Sequence, residues 1–287
     1  MKVVETTPEL DAALMNYRGK DGLIGFVPTM GALHPGHLSL PERAKSECIV
    51  TVASIFVNPT QFNDPKDLEK YPRTLEADLV MLREAGCDLV FVPSVSDVYP
   101  EGLEKDRIEI DFGMLEKVME GKSRPGHFKG MATVVNKLFQ KVKPQRAYFG
   151  KKDYQQLAII KEMERRLAAD GRRPPVEIVE CGTIREADGL AMSSRNRRLS
   201  PEQRSKAKKI AAALFWIKEN ANSLVVDELL VKAKEQLSQE KLLELDYLEI
   251  VDRNTLQSLP PDHKPVNAVA CIAVKIGDIR LIDNMEI

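Results

Sequence analysis

The sequence LIGFVPTMGALHPGHL, residues 23–38, carries the clearest fold signal in the chain. It begins with an apolar run, Leu23–Val27, turns near Gly31 and ends on two histidines, His34 and His37, which share one face of a helix at this spacing. A strand, a glycine turn and a helix start offer N–H groups and the positive end of the helix dipole to an anion. The stretch therefore predicts a phosphate-binding turn after a buried strand. A turn with two incidental histidines is an alternative; a two-histidine metal site is another, although the glutamate of H-E-x-x-H is missing.

Four further apolar runs share the nearly continuous hydrophobic character of the first. They are Ile49–Val57, Leu89–Val92, Ala147–Phe149 and Val176–Val179. Such runs are typical of strands covered on both faces, as in a parallel sheet. Helical patterns lie between them, over residues 75–85, 131–142 and 155–169. This alternation predicts a doubly wound, Rossmann-like α/β fold, in which ligands bind beyond the carboxyl ends of the strands.

The pattern changes near residue 186. Ser200-Pro201-Glu202-Gln203 combines an N-cap, a proline at N1 and a glutamine at N3, and so predicts a helix start. A second helix is expected over Val226–Leu237, and three short strands follow, the last two joined by a tight turn at Gly277-Asp278. We therefore expect a first domain over residues 1–185 and a smaller α+β domain over residues 186–287.

Composition excludes several classes of protein. The 287 residues carry 42 Lys and Arg against 43 Asp and Glu, a net charge of −1, which argues against a long polyanion such as nucleic acid as the main partner. No apolar run approaches the ~20 residues that span a bilayer, and the first residues lack the apolar core of a signal peptide. Four widely spaced cysteines without a C-x-x-C motif favour reduced thiols in a cytoplasm over disulfides or structural zinc.

Polar residues follow the other predicted strands. Asn58 and Gln61, after the second run, suit a small ligand with hydroxyl and carboxylate groups, although Asn-Pro is equally a turn signal. Lys152 could reach a phosphate, and a lysine at a helix start opposes the dipole, a conflict often found at functional sites. Asp153 could hold ribose hydroxyls. A lysine-rich helix start is the alternative for this segment.

A serine-arginine loop lies between the two expected domains. Ser193, Ser194 and Arg195 together could clamp a phosphate through charge-assisted hydrogen bonds. Taken alone, the segment is better explained as a basic linker between domains.

Six blocks of the sequence resemble the pantothenate synthetase family, in family order and at family spacing. They are residues 28–38, SIFVNPTQF (54–62), YPRT (71–74), SRPGHFKG (123–130), FGKKDYQQL (149–157) and READGLAMSSRN (185–196). The similarity covers nearly the whole chain and ends in RLIDN, residues 280–284. The family shares its H-x-G-H signature and a later serine-containing loop with other nucleotidyltransferases.

The resemblance implies a two-step reaction. ATP and pantoate would give pantoyl adenylate and pyrophosphate, with magnesium, and the amine of β-alanine would then release AMP and form pantothenate. It also suggests a homodimer formed through the first domain, and a C-terminal domain that closes as a lid.

The resemblance also implies roles for matching residues. The groups that hold and neutralise the triphosphate would be His34, His37, Lys152, Ser193, Ser194 and Arg195, with His37 at the position of the usual proton donor. The nucleotide-binding segments would include Met30, Gly31, Gly150, Lys151, Asp153, Ile184 and Met192. Pantoate would bind Gln61 and Gln156, with Gln61 also lining the β-alanine position and Asn58 and Arg124 contributing. The phosphate-binding groups are expected to converge at the edge of the sheet, and metal ligands do not follow from the sequence.

The chain departs from the family pattern at three positions. Pro35 stands where the family usually has Glu or Asp, and proline suits the N1 position of a helix. Lys151 replaces the usual glutamate of FGEKD, and its side chain could face either the phosphates or solvent. Pro41 removes an N–H from the helix that should follow His37, which predicts a kink or a late helix start.

Two other functions stay open at the level of sequence. One is a nucleotidyltransferase that stops at an adenylylated product, which the pair Gln61 and Gln156 argues against. The other is a nucleotide-binding regulatory protein that has lost activity, which only Pro35 and Lys151 favour.

Overall fold

The computed structural model describes residues 1–62, 65–171 and 173–287. The chain divides into two compact units. The first unit contains residues 1–151 and 156–182, and the second contains residues 152–155 and 183–287. The expected combination of an α/β unit and a smaller α+β unit is confirmed.

The first unit is built on a six-stranded parallel sheet. Its strands are β1 (Lys2–Val4), β2 (Ile24–Thr29), β3 (Val50–Ile55), β4 (Leu89–Phe91), β5 (Arg146–Gly150) and β6 (Glu177–Cys181). Their order in the sheet is β1-β4-β3-β2-β5-β6, and every pair is parallel. Strand β2 therefore lies between β3 and β5, and the carboxyl ends of these three strands meet at one edge. Connections leave in opposite directions here, which is where open α/β sheets bind ligands.

Helices cover both faces of this sheet, as the continuous apolar runs predict. The helices are α1 (Thr7–Leu14), α2 (Pro35–Glu47), α3 (Pro65–Lys70), α4 (Leu75–Glu84), α5 (Val95–Val98), α6 (Met119–Ser123), α7 (His127–Val142) and α8 (Tyr154–Ala169). Phe139 of α7 packs edge-on against Phe26 of β2 and Phe149 of β5, with ring centroids 6.1 and 6.4 Å apart. Leu40 of α2 and Leu82 of α4 pack in a second cluster, with Val27 and Tyr148 of the sheet. Aromatic and aliphatic burial of this kind supplies most of the favourable free energy of folding.

Strand β1 and helix α1 lie outside the predicted set, as do the short helices α3, α5 and α6. Strand β1 is only three residues long and extends the sheet at its edge, beside β4. Helix α1 begins at a capping box, in which the Thr6 side chain accepts from the backbone of Glu9 and the Glu9 carboxylate accepts from the backbone of Thr6. A three-residue strand has too few positions for a periodic signal, whereas the cap was readable from Thr6 and Glu9.

Helix α2 tests the two expectations that concern its prolines, Pro35 and Pro41. Pro35 occupies the N1 position, where its missing N–H has no intrahelical partner to lose. The helix is continuous from Pro35 to Glu47, so the late start predicted from Pro41 is wrong. The favourable N1 residue and the apolar contacts of the helix outweigh one missing hydrogen bond. The predicted kink stays a prediction.

The second unit combines two helices with a three-stranded antiparallel sheet. The helices are α9 (Pro201–Asn220) and α10 (Val226–Ser238), and the strands are β7 (Glu244–Asp252), β8 (Ala268–Ile276) and β9 (Ile279–Glu286), in the order β7-β8-β9. The capping box at Ser200 and Gln203 and the turn at Gly277-Asp278 are confirmed. No helix in the described part of the chain is both long and apolar enough to span a membrane.

Replacing Pro41 by alanine is expected to stabilise the first unit. A proline in a helix interior costs about 3 kcal/mol relative to alanine, and the loss of the buried ring offsets part of this gain, leaving about 1 kcal/mol. Thermal unfolding of Pro41→Ala and the wild-type protein measures the difference. The control is Pro201→Ala, because Pro201 lies at N1 of α9, where proline costs nothing. A Pro41→Ala variant that melts at or below the wild-type temperature would contradict this prediction.

Candidate active site

The loop after β2 is held by one buried carboxylate. Asp78 of α4 is 1% exposed, and its two oxygens accept from the backbone N–H groups of Ala32 (3.0 Å) and Leu33 (2.8 Å). The hydroxyl of Thr74 donates to the same carboxylate at 3.2 Å. Hydrogen bonds to an ionised acceptor are stronger than neutral ones, so the position of this loop is fixed relative to α4.

The same loop requires glycine at its first position. Gly31 has φ +80°, and a Cβ atom there would lie 2.9 Å from an oxygen of Asp78. Ala32, the next residue, has φ +52°, which is a strained conformation for a residue with a side chain. The bonds to Asp78 therefore maintain a turn that the local sequence would not adopt alone.

The two predicted histidines lie together at the start of α2. His34 is the N-cap residue, and its carbonyl accepts from the backbone of His37 at 2.8 Å. Their rings lie against each other, with centroids 3.9 Å apart and planes inclined by 34°. Two imidazoles are therefore held close to the N–H groups and positive dipole end of α2, which favours an anion.

An amide cluster follows β3. Asn58 is 1% exposed; its Nδ2 donates to Gln61 Oε1 (3.1 Å) and to the carbonyl of Gly130 (3.3 Å). Its Oδ1 accepts from the hydroxyls of Tyr99 (2.7 Å) and Thr60 (3.1 Å). Because Asn58 donates to the Gln61 oxygen, the Gln61 amide is fixed with its nitrogen pointing away from Asn58. That nitrogen lies 2.9 Å from the Met30 sulfur, so two predicted ligand residues from the segments that follow β2 and β3 meet.

Arg124 and His127 support the backbone of Gln61. The Nδ1 atom of His127 lies 2.8 Å from the Gln61 carbonyl oxygen, and Nη2 of Arg124 donates to the same oxygen at 3.4 Å. Nη1 of Arg124 lies 3.3 Å from Nε2 of His127. Since a guanidinium only donates, we assign Nε2 as the acceptor and Nδ1 as the donor to Gln61. The structure thus brings four predicted residues together, namely Met30, Asn58, Gln61 and Arg124.

Tyr99 and Gly130 belong to this cluster although sequence reasoning missed them. Burial raises the pKa of Tyr99 to about 12, so its hydroxyl stays a donor to Asn58 over the ordinary pH range. A Cβ at position 130 would lie 2.2 Å from the Thr60 carbonyl oxygen, which only glycine avoids. Gly130 closes the SRPGHFKG block and was readable from it, whereas nothing around Tyr99 distinguishes it from other buried tyrosines.

The segment after β5 contains the remaining predicted residues of the first unit. Gly150 ends the strand, and Gln156 lies in the first turns of α8. The Lys151 ammonium lies 3.7 Å from the carboxylate of Glu180 on β6. Glu180 therefore attracts this side chain, and its orientation toward phosphates or toward solvent stays a prediction.

In the second unit, the predicted serine-arginine loop has a defined conformation. Ser193 is the N-cap of a short 3-10 helix, Ser194–Arg198, and its hydroxyl accepts from the backbone of Arg195 at 3.3 Å. Met192 donates through its backbone to the carbonyl of Ile184 at 3.0 Å. The loop is therefore folded around its own backbone and is more than a linker.

Ion pairs and an amide fasten this loop to α9. Asn196 donates to Glu186 at 2.7 Å and to the carbonyl of Ala191 at 3.0 Å. Arg204 of α9 pairs with both Glu186 and Asp188. Hydrogen bonds to these two carboxylates raise the pKa of Arg204, and the bond from Arg204 lowers the pKa of Asp188.

Lys152 and Asp153 also belong to the second unit. The Lys152 ammonium lies 3.4 Å from the Asp153 carboxylate, and the Lys152 carbonyl oxygen accepts from Nδ2 of Asn284 at 2.7 Å. Among residues 1–62, 65–171 and 173–287, no three His, Cys, Asp or Glu side chains form a group that could hold a metal ion.

Comparison with known proteins decides the family. The chain matches the family model described as pantoate-beta-alanine ligase over residues 2–286. The curated pantothenate synthetase of Bacteroides fragilis is 49% identical over 286 residues, which cover 100% of this chain and 99% of the relative. This chain belongs to the pantoate–β-alanine ligase family.

Solved structures of the family share the fold. The pantothenate synthetase of Thermus thermophilus superimposes with a TM-score of 0.91 at 48% identity, covering 100% of this chain and 99% of that one. The pantoate-beta-alanine ligase of Francisella tularensis, crystallised with beta-gamma ATP and beta-alanine, has a TM-score of 0.80 at 38% identity, covering 100% and 97%. The Rossmann-like fold expected from the sequence is thus confirmed by members of its family.

Burial of the Tyr99 hydroxyl raises its pKa and is expected to make stability depend on pH in alkali. The folded pKa of about 12 lies above the ordinary value of 10, so the stabilisation is complete below pH 10 and is lost as pH rises toward 12. At neutral pH, Tyr99→Phe should cost about 1 kcal/mol, and the gap to wild type should narrow above pH 10. Thermal midpoints at successive pH values measure this, with Tyr17→Phe, outside the cluster, as control. A gap that stays constant to pH 11.5 would refute the assignment.

Proposed function

We propose that this protein is an ATP-dependent ligase that condenses pantoate with β-alanine to form pantothenate, releasing AMP and pyrophosphate. The family match across residues 2–286 carries this proposal. The cluster around Gln61 and the histidine pair of α2 support it, because they supply the hydroxyl-binding and phosphate-binding chemistry that the reaction needs.

In the first step, a carboxylate oxygen of pantoate attacks the α-phosphorus of ATP. The bond from the α-phosphorus to the bridging oxygen breaks, and pyrophosphate leaves with the electron pair. Negative charge on the leaving group must be neutralised, so catalysis is mostly positioning and electrostatic stabilisation. His34 and His37 are proposed to donate to phosphate oxygens, with His37 as the proton donor. Their adjacent rings at a helix N-terminus support this role.

Groups of the second unit are proposed to bind the phosphates of ATP. Lys152 and Arg195 supply positive charge, and Ser193 and Ser194 supply hydroxyl donors. The fixed 3-10 turn at Ser193 supports this assignment, because a preorganised donor loses less entropy on binding. The remaining nucleotide contacts are proposed for the segments that contain Met30, Gly31, Gly150, Lys151, Asp153, Ile184 and Met192. Lys151 would contribute through its backbone, since its side chain pairs with Glu180.

In the second step, the amine of β-alanine attacks the acyl carbon of pantoyl adenylate. The bond from that carbon to the phosphate oxygen breaks, AMP leaves, and the nitrogen loses a proton. We propose that Gln61 and Gln156 bind the pantoyl group and that Gln61 also lines the β-alanine position. Asn58 would act by orienting the Gln61 amide, because its own polar atoms are already bonded within the protein. Arg124 is proposed to fix the Gln61 backbone.

Magnesium is proposed to enter as its complex with ATP. Magnesium commonly keeps several waters and binds substrate phosphates with few protein ligands. The described residues contain no metal-binding group of three side chains, which fits this mode of entry. We also propose that the protein forms a homodimer through its first domain and that it works in the cytoplasm. The first domain, residues 1–185, would bind nucleotide and pantoate, and residues 186–287 would act as a lid.

An assay of AMP release with ATP, pantoate and β-alanine tests the activity. AMP and pantothenate should form in equal amounts, and His37→Ala should lower kcat by at least about 100-fold, because a positioned proton donor contributes that much. The control is His263→Ala, which alters an exposed histidine of the second unit and should leave the rate unchanged. Formation of an adenylylated product without AMP would favour the nucleotidyltransferase alternative, and ATP binding without turnover would favour the regulatory one.

Adjacent lysines provide a second test of the site. Lys152→Ala should lower kcat by about 100-fold through loss of phosphate neutralisation. Lys151→Ala should have an effect of less than about threefold, because the ion pair of Lys151 with Glu180 is worth at most about 1 kcal/mol. Steady-state kinetics of both variants give the comparison. Equal losses from both would overturn the assignment of Lys152.

A further inference from the structure

Two buried polar residues stand next to each other on β9 of the second unit. Asp283 is 3% exposed and Asn284 is 5% exposed. A buried carboxylate and a buried amide are costly unless each is fully bonded, so their partners indicate what they do. Neither residue has a role in the two-step reaction proposed above.

Asp283 and Arg185 form a bidentate ion pair. Nη1 and Nη2 of Arg185 donate to the two carboxylate oxygens of Asp283 at 2.7 and 3.0 Å. The same guanidinium donates to the carbonyl oxygens of Gly189 and Asn284, each at 3.0 Å. Burial raises the pKa of Asp283 while Arg185 acts to lower it, as expected of a charge that needs its partner. Arg185 thereby fixes the start of the loop that leads to Ser193.

Asn284 continues this network to Lys152. Its backbone N–H donates to Oδ1 of Asp283 at 2.7 Å, and its side-chain Nδ2 donates to the Lys152 carbonyl oxygen at 2.7 Å. The short segment 152–155 gains a second attachment where the hydroxyl of Tyr154 donates to the carbonyl of Arg253 at 3.2 Å. The Lys152 backbone is therefore anchored to the β-sheet of the second unit.

We propose that Asn284 is a positioning residue, which fixes where the Lys152 ammonium lies relative to the loop that contains Ser193 and Arg195. The adjacent Arg185–Asp283 ion pair holds Asn284 in place. One pair of adjacent residues on β9 anchors both segments, so their spacing is fixed by the sheet instead of by two independent loops. This inference rests on the role proposed for Lys152. In this role, Asn284 acts through the Lys152 backbone and not on the substrate.

The chemistry explains why such an anchor matters. A lysine side chain has four rotatable bonds and a compact charge, so the place of its ammonium depends on where its backbone is held. A misplacement of about 1 Å can cost about 100-fold in rate. An amide donor suits the task because the Lys152 carbonyl can only accept, whereas an aspartate would place a second carboxylate beside Asp283.

The test compares Asn284→Ala with a matched control. Asn220→Ala removes the same kind of bond, from an amide Nδ2 to a backbone carbonyl at 2.8 Å, elsewhere in the second unit. Asn284→Ala should lower the rate of pyrophosphate release from ATP and pantoate by about 10- to 100-fold. Release of AMP from supplied pantoyl adenylate and β-alanine should change by less than about twofold, because no pyrophosphate leaves in that step. Asn220→Ala should leave both rates unchanged.

A purely structural role would give a different result. Loss of folded protein lowers both half-reactions by one common factor, and that outcome, with a fall in thermal midpoint beyond that of Asn220→Ala, would overturn the inference. Asn284→Asp serves as a second variant with the same side-chain size and should show the same selective loss of the first half-reaction.

A double-mutant cycle separates this inference from the proposed function. If Asn284 acts through Lys152, adding Asn284→Ala to Lys152→Ala should cost less than about twofold, because coupled residues are not additive. Full additivity would overturn the inference. If Lys152→Ala alone has no effect, the proposed role of Lys152 fails. If Lys152→Ala costs about 100-fold and Asn284→Ala costs nothing, only the positioning role fails.

Discussion

The carboxylate of Asp78 accepts two consecutive backbone N–H groups, from Ala32 and Leu33, and the arrangement of the first unit's site follows from these bonds. They hold the chain through two residues with positive φ and deliver it to the N-cap of α2. The two histidine rings are adjacent because the turn ends at His34, the N-cap of α2, and His37 follows in the first turn of that helix. The Asp78 carboxylate thus accepts from the N–H groups of the loop before α2. The positive dipole end at the start of α2 itself stays available to an anionic ligand.

Buried hydrogen bonds also hold two long, flexible residues of the proposed site, Gln61 and Lys152, in place. Asn58 donates to the oxygen of Gln61 and so directs the Gln61 nitrogen toward Met30. Asn284 bonds the backbone that carries Lys152. In both cases a buried amide fixes a neighbouring group, because an amide can donate and accept while carrying no charge that would need a counterion. Support of this kind reduces the entropy that the aimed side chain loses on binding.

Fold and site were predictable to different degrees. Five of the six parallel strands followed from continuous apolar runs, and the helix at Pro201 followed from its capping box, since both signals are local. The four residues Met30, Asn58, Gln61 and Arg124 were named from motifs, and the structure shows which of their atoms meet. Asp78 and Tyr99 escaped notice because an aspartate in a helix and a tyrosine before a proline are unremarkable in sequence. The pairing of Lys151 with Glu180 was equally hidden, since 29 residues separate the two.

By itself, the sequence determined the alternation of the main strands and helices, the family, and the set of chemical groups available for phosphates and small polar ligands. These depend on residue type and local spacing. Only the tertiary structure decided which side chains are oriented by a buried neighbour, how hydrogen bonds to Asp78 hold the strained turn at Gly31, and that β9 anchors the Lys152 backbone. Such contacts join residues that are up to 132 positions apart in the chain, and no local pattern encodes them. The physical reason is that a buried hydrogen bond is specified by where the folded backbone brings donor and acceptor together.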